Sequence, residues 1–506
     1  MSQPESRQTA AAAIAGGAAL LLWPALLNGY PLVFSDTGAF LAQTLLGLVV
    51  WDKPYVFGPL LHAFHWRASL WLPAVAQGLL LSWLIWLVQR VLRGRAGLRR
   101  IAFIPERQSA VAVCLQSRFT LPEVHACPRS ALGAHLLLCA GLAALTAAPW
   151  FTALLMPDIL APALVLAVFL LGFGGDRLAP AERCGLGLVA MLAVAAHLSH
   201  LPVAVALLLP VALLRRRWPP VLAAATPLAG ALLLLLGTNW VGHGRLALSP
   251  YGAVFALARL VADGPAARTI EARCPGAGWH LCRWAGRLPV DSDVFLWSGD
   301  GPVWAPRLDG ARPGGPISLA PEAGEIIRQT LWREPLGVLR SGVANTLRQL
   351  GMAGVGDVLG PEHLEATVGL RLAQGFPAAE QERFAQSLQA RGLLPAAAAP
   401  FLWPHRAVLL LGTLATLLAG WRAARAGDTR RLGLVLCVLA GLVANAAATG
   451  ALSGPHDRYQ ARIAWLLPLA GLLAWPRFRP RPQHGSAIRA KTGPGPQIRN
   501  DPAASA

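Results

Sequence analysis

Apolar runs separated by short polar or arginine-rich stretches dominate this chain. Ten of them, near residues 9–28, 68–91, 131–149, 157–173, 184–197, 200–214, 219–240, 402–421, 432–451 and 463–476, approach the roughly 20 residues that a bilayer-crossing helix needs. The stretch 184–214 reads two ways. One long helix would put Arg215, Arg216 and Arg217 on the opposite side from Arg177 and Arg183. Two short helices meeting at His197-Leu-Ser-His200-Leu-Pro202 keep all five arginines on one side, which the positive-inside rule favours. The run at 40–51 (FLAQTLLGLVVW) is too short to span and is expected as an amphipathic helix at the interface. The stretch 241–401 is polar, Gly/Pro-rich and irregular to about 320, then helical, with an interruption at Pro335. The pattern therefore predicts an all-α polytopic membrane protein with about ten transmembrane helices. A large, mostly helical segment separates helices 7 and 8. The expected modules are 1–240 (with a cytoplasmic loop at 92–130), 241–401 outside the cytoplasm, 402–479, and a disordered cytoplasmic tail at 480–506.

Composition agrees. Of the 506 residues, 55% are hydrophobic and 14% charged, against about 25% charged in soluble domains. The net charge of +19 does not point to nucleic acid, because the arginines cluster beside apolar runs. The clusters are Arg90, Arg93, Arg95, Arg99 and Arg100; Arg215 to Arg217; Arg422, Arg425, Arg430 and Arg431; and Arg477, Arg479 and Arg481. All fall on one side of the ten-helix arrangement. This predicts a multi-pass inner-membrane protein with both termini cytoplasmic and the first helix retained. The seven cysteines show no zinc or thioredoxin spacing. Cys114 and Cys127 lie in a basic loop, and Cys139, Cys184 and Cys437 in apolar runs. Cys274 and Cys282 stand in the segment assigned to an oxidising compartment, where a disulfide is expected.

Two short loops on the non-cytoplasmic side each carry one acidic residue, Asp36 in FSDTGAF and Asp158 in LLMPDIL. Charge at the mouth of a membrane bundle is costly, so each is a catalytic candidate. Asp36 could accept a proton from an incoming hydroxyl, or cap the helix that follows Ser35-Asp36-Thr37. Asp158 could act likewise, or complement the dipole of the helix it opens. Asp52 and Lys53 suggest a salt bridge or a substrate contact. Arg67, His456, Arg458, Tyr459 and Arg462 are further substrate-binding candidates. Arg458 and Arg462 lie in PHDRYQAR, where an orientation signal would not put arginines, and arginine suits phosphate. His62 and His65 share the first loop. His197 and His200 lack a third metal ligand nearby, which favours a turn-stabilising role. Trp279, Trp284, Trp297 and Trp304 fit interfacial anchoring better than sugar stacking. No Walker loop, GxGxxG, HExxH or GxSxG is present.

Asp36 just after the first helix, Asp158 in the next loop and Arg458-Tyr459 near the last helices give a layout that resembles the GT-C superfamily of integral-membrane glycosyltransferases. Protein O-mannosyltransferases and the aminoarabinose transferases of lipid A are examples. The likeness covers the helical scaffold. The first loop here reads SDTG where the mannosyltransferases carry an adjacent Asp-Glu pair. The resemblance implies a polyprenyl-phosphate-linked sugar donor and a glycan, lipid or protein acceptor. It also implies Asp36 as general base, Arg458 (with Lys53 or Arg67) on the departing phosphate, and inversion at the anomeric centre. It singles out no cofactor, and a divalent metal is compatible without being indicated. The rival readings are a lipid or glycan transporter, and a non-catalytic scaffold of envelope assembly.

Overall fold

The computed structural model describes residues 7–93, 128–306 and 314–475, so the expectations for Cys114, Cys127, Arg95, Arg99, Arg100, Arg477, Arg479, Arg481 and the tail lie outside the described residues. The described residues are helical, with one isolated bridge between Leu32 and Leu154. The first apolar run is not one helix. α1 (Arg7–Leu21) breaks at Leu22 before α2 (Trp23–Asn28). Pro24 explains the break, since its ring cannot follow a continuous turn and it donates no N–H. The 40–51 run is also corrected. Helix α3 (Ser35–Leu45) starts earlier, buries Phe40, Leu41 and Ala42, and stops before Gly47, whose φ is +66°. α4 (Phe57–His65) then leads to α5 (Trp71–Arg93).

α6 (Pro128–Leu145) gives way to α7 (Ala148–Ala153), with Pro149 at the start of the latter. A 3₁₀ turn at Pro157–Ile159 opens α8 (Leu160–Phe173), which is buried along its whole length. The 184–214 stretch is indeed two helices, α9 (Pro180–Ala196) and α10 (His200–Arg215). α11 (Trp218–His243) follows, and its Leu222, Leu233, Trp240 and Val241 are exposed. So much bare apolar surface suits a lipid-facing helix.

The polar segment is more regular than its composition implies. α12 (Gly252–Ala262), α13 (Pro265–Arg273), α14 (Ser292–Trp297) and α15 (Pro316–Arg333) surround a core of their own that includes Val254, Leu257, Phe295 and Ile326. Cys274 and Cys282 are joined by a disulfide with Cα atoms 5.4 Å apart. α16 (Pro335–Gly351) packs along the later membrane-length helix Thr429–Leu452. α17 (Leu370–Gly375) and α18 (Ala378–Ala385) share a second cluster with Tyr30, Leu41 and Leu155 of the N-terminal part.

α19 (Leu394–Leu402) runs on into α20 (Pro404–Arg425), so the expected 402–421 helix is longer at both ends. α21 (Thr429–Leu452) comes next. The last helix starts at Asp457, not 463, as α22 (Asp457–Ala464) and α23 (Leu466–Leu473). Among the described residues, four helical stretches are long and apolar enough to cross a membrane: Trp71–Arg93, Trp218–His243, Leu394–Arg425 and Thr429–Leu452.

Candidate active site

The early start of the last helix matters most for the site. Arg458 and Arg462 are not loop residues; they stand one turn apart on α22, on the same face. Asp357 and Asp457 hold the start of that helix. The Asp357 carboxylate accepts the Arg458 backbone N–H at 3.1 Å, and the Asp457 carboxylate accepts that of Gly354 at 2.7 Å. Gln349 donates to the His456 carbonyl (2.7 Å) and accepts from its N–H (3.0 Å), so His456 serves as backbone anchor.

Asp158 meets both arginines. Its Oδ1 lies 3.5 Å from Arg462 Nη1 and 3.8 Å from Arg458 Nε, and the three side chains are 2%, 0% and 10% exposed. Arg462 Nη2 also donates to Asn445 Oδ1 (2.8 Å) and to Ser199 Oγ (3.1 Å). Ser199 Oγ is 2.7 Å from His197 Nδ1, and His200 Nδ1 is 2.7 Å from the Ala193 carbonyl. The histidine pair therefore braces a turn and supports Arg462, and no group of metal-ligating side chains forms among the described residues. Arg458 stacks over the Phe34 ring at 4.2 Å and lies 5.1 Å from the Tyr459 ring centroid. Its Nη1 is buried and has no hydrogen-bond partner among the described residues.

The other acidic residues form a second, more open group. Lys53 Nζ pairs with Asp36 at 3.2 Å and closely with Asp52. Burial opposes the Lys53 charge, yet the two carboxylates hold its ammonium above the ordinary lysine pKa. Asp36 is 35% exposed, against 9% for Asp52. The two groups are neighbours, because Asp36 lies within electrostatic reach of Arg458 and Lys53 within that of His197. Asp36 is not the helix cap. Phe34 occupies the N-cap position, and the Thr37 hydroxyl accepts the Phe34 N–H (3.0 Å) while donating to the Leu155 carbonyl (3.1 Å). Leu32 and Leu155 add backbone bonds across the same seam, Leu32 N–H to Ala153 O (3.0 Å) and Leu155 N–H to Leu32 O (2.9 Å). This seam ties the start of α3 to the turn that carries Asp158.

Arg67 does not join the cluster; its guanidinium donates to the Thr44 carbonyl at 3.2 Å in an exposed position. His65 is fully buried in α4, and its Nδ1 accepts the Arg67 N–H at 2.9 Å. Burial, then the charges of His62 and Arg67, push its pKa down to about 4. Phe34, Asn445 and Asp357 escaped the sequence reading. Asn445 had a visible signal, a lone amide in an apolar span, whereas an aromatic beside an apolar run carries none. A separate groove of about 810 Å³, lined by Gly172, Arg183, Cys184, Arg215 and Pro227 among others, opens at the start of α9, the end opposite His197.

No family model, no curated protein and no solved structure matches this chain.

Proposed function

We propose that this chain is a membrane glycosyltransferase of GT-C type that moves a sugar from a polyprenyl-phosphate-linked donor to an acceptor hydroxyl. In this reading the ten apolar runs cross the inner membrane, with both termini cytoplasmic and the charged cluster at the opposite face. The observation that carries it is an imbalance of charge within one cluster. Two guanidiniums share the single carboxylate of Asp158, while two carboxylates, Asp36 and Asp52, share the single ammonium of Lys53. The first arrangement suits an incoming phosphate, and the second suits an incoming proton.

Asp36, the most exposed of the acids, takes the proton of the acceptor hydroxyl. The oxygen bonds to the anomeric carbon from the face opposite the donor phosphate. The bond from that carbon to the phosphate oxygen breaks, and the lipid phosphate leaves with its electron pair. Arg458 offers its unpartnered Nη1 to the charge that develops there, aided by Lys53. Asp158 positions the two arginines.

Asp36→Asn tests the scheme. It keeps the shape and removes the proton acceptor, which typically lowers the rate about 10²–10⁴-fold. Envelope glycans and glycolipids from cells carrying this variant should lose the same sugar as cells without the gene, at matched protein level. An unchanged glycan profile in the gene-less cells would remove the proposal. A normal profile with Asp36→Asn alone would remove Asp36 as base.

A further inference from the structure

One helix of the 241–401 stretch has a surface at odds with a polar setting. α16 exposes Leu336, Leu339, Val343, Leu347 and Leu350, at 77%, 62%, 51%, 63% and 38%. Steps of three and four residues place them on a single face, and Trp332, 80% exposed, stands just before them. The helix has two arginines and no acidic residue.

Its inner side is fixed to α21. Gly342 faces Ala451, Gly450 lies so close to Asn345 that a side chain there would strike its backbone, and Gln349 is bonded to His456. All three contacts sit at or just beyond the last turn of α21. That is the level at which a membrane-length helix leaves the hydrocarbon. Beside Trp332 lies a groove of about 530 Å³ lined by Thr269, Arg273, Arg328, Gln329 and Arg333. Arg328 pairs with Glu325 at 2.7 Å in an exposed position, where such a pair is easily exchanged for another anion.

We infer that α16 is a membrane-surface helix. Its leucine stripe beds into the boundary of the bilayer that α21 crosses, and Arg273, Arg328 and Arg333 hold the phosphates of anionic lipids. The bilayer fits better than a second protein for three reasons. The helix that carries the stripe is fixed to the last turn of a membrane-length helix. The helix itself carries two arginines and no acid, and Glu334 at its start is already paired with Arg268. An exposed tryptophan stands where such residues mark the interface. The inference rests on reading α21 as a membrane span.

The test uses the full chain in liposomes of phosphatidylcholine and phosphatidylglycerol, with the five cysteines outside the disulfide replaced. Spin labels go on Leu339→Cys and Val343→Cys, and on Val443→Cys within α21. Oxygen, enriched in lipid, should relax all three labels more than a water-soluble nickel chelate does. Nickel dominance at 339 and 343, with oxygen still dominant at 443, overturns the surface-helix assignment. Nickel dominance at 443 as well removes the span reading and this inference with it. For the headgroups, R273Q/R328Q/R333Q should retain several-fold less phosphatidylglycerol by native mass spectrometry. Unchanged retention, or equal displacement by inorganic phosphate, overturns the lipid contact.

Discussion

The two halves of the charged cluster solve opposite problems with the same residue types. Around Asp158 every charge is buried, and each is held by several groups: Arg462 alone reaches Asp158, Asn445 and Ser199. Around Lys53 the geometry is looser, and Asp36 keeps a third of its surface open. A buried ion pair gains little net stability, because desolvation offsets attraction, yet removing one partner is expensive. The buried half is therefore a fixed framework that holds positive charge in place. The open half can change protonation without disturbing that framework.

Breaking the framework should have the largest effect. Arg462→Ala leaves the buried Asp158 carboxylate to Arg458 alone, at 3.8 Å, and takes the donor from Asn445 and Ser199; breaking into a buried ion-pair network typically costs about 3–5 kcal/mol. The variant should be recovered in low yield with a lowered thermal midpoint, whereas Asp36→Asn should match the wild type in both. Similar losses from the two variants would erase the distinction between the halves.

A change of pH sharpens it from the other side. His65, buried in α4 on the same loop as the open half, has a folded pKa near 4, below its ordinary 6.5. As pH falls from about 6.5 to 4, the unfolded chain takes up a proton that the folded chain refuses, so stability drops through that window, by about 3 kcal/mol in all. Thermal midpoints between pH 7 and pH 4 should show this slope, and His65→Gln should make it shallower. A slope unaffected by His65→Gln would assign the acid sensitivity to other groups.

The smallest effect concerns the start of α3. Thr37, not Asp36, closes that helix end. Thr37→Ala should cost about 1 kcal/mol, as lost caps do, while Asp36→Ala should cost clearly less. Reversal of that order in chemical denaturation would return the capping role to Asp36.

Much of this was readable in the chain. Charges at the ends of apolar runs singled out Asp36, Asp158, Arg458 and Arg462, because lipid makes a stray charge expensive and therefore conspicuous. The turn at His197 to His200 was readable from arginine placement. What could not be read was partnership. Hydropathy is a local quantity, and the bond from Arg462 to Asp158 joins residues 304 positions apart. For the same reason Arg458 and Arg462 looked like loop residues: a helix start rich in polar groups has no apolar period to announce it. Pro24 was visible, but whether a proline kinks, ends or merely enters a helix depends on neighbours the pattern omits.

The separation between Asp158 and Arg462 also has a meaning in time. Ribosomes deliver the chain from its N-terminus, so Asp36, Asp52 and Lys53 can pair almost as soon as they emerge. Asp158 must wait until α22, nearly the last helix, has been made. Throughout that interval a carboxylate destined for a dry interior has no counter-charge, and a ribosome that stalls before residue 457 leaves it so permanently. The final helix thus completes the charge balance: a chain that ends before it carries the Asp158 carboxylate without either of its guanidinium partners.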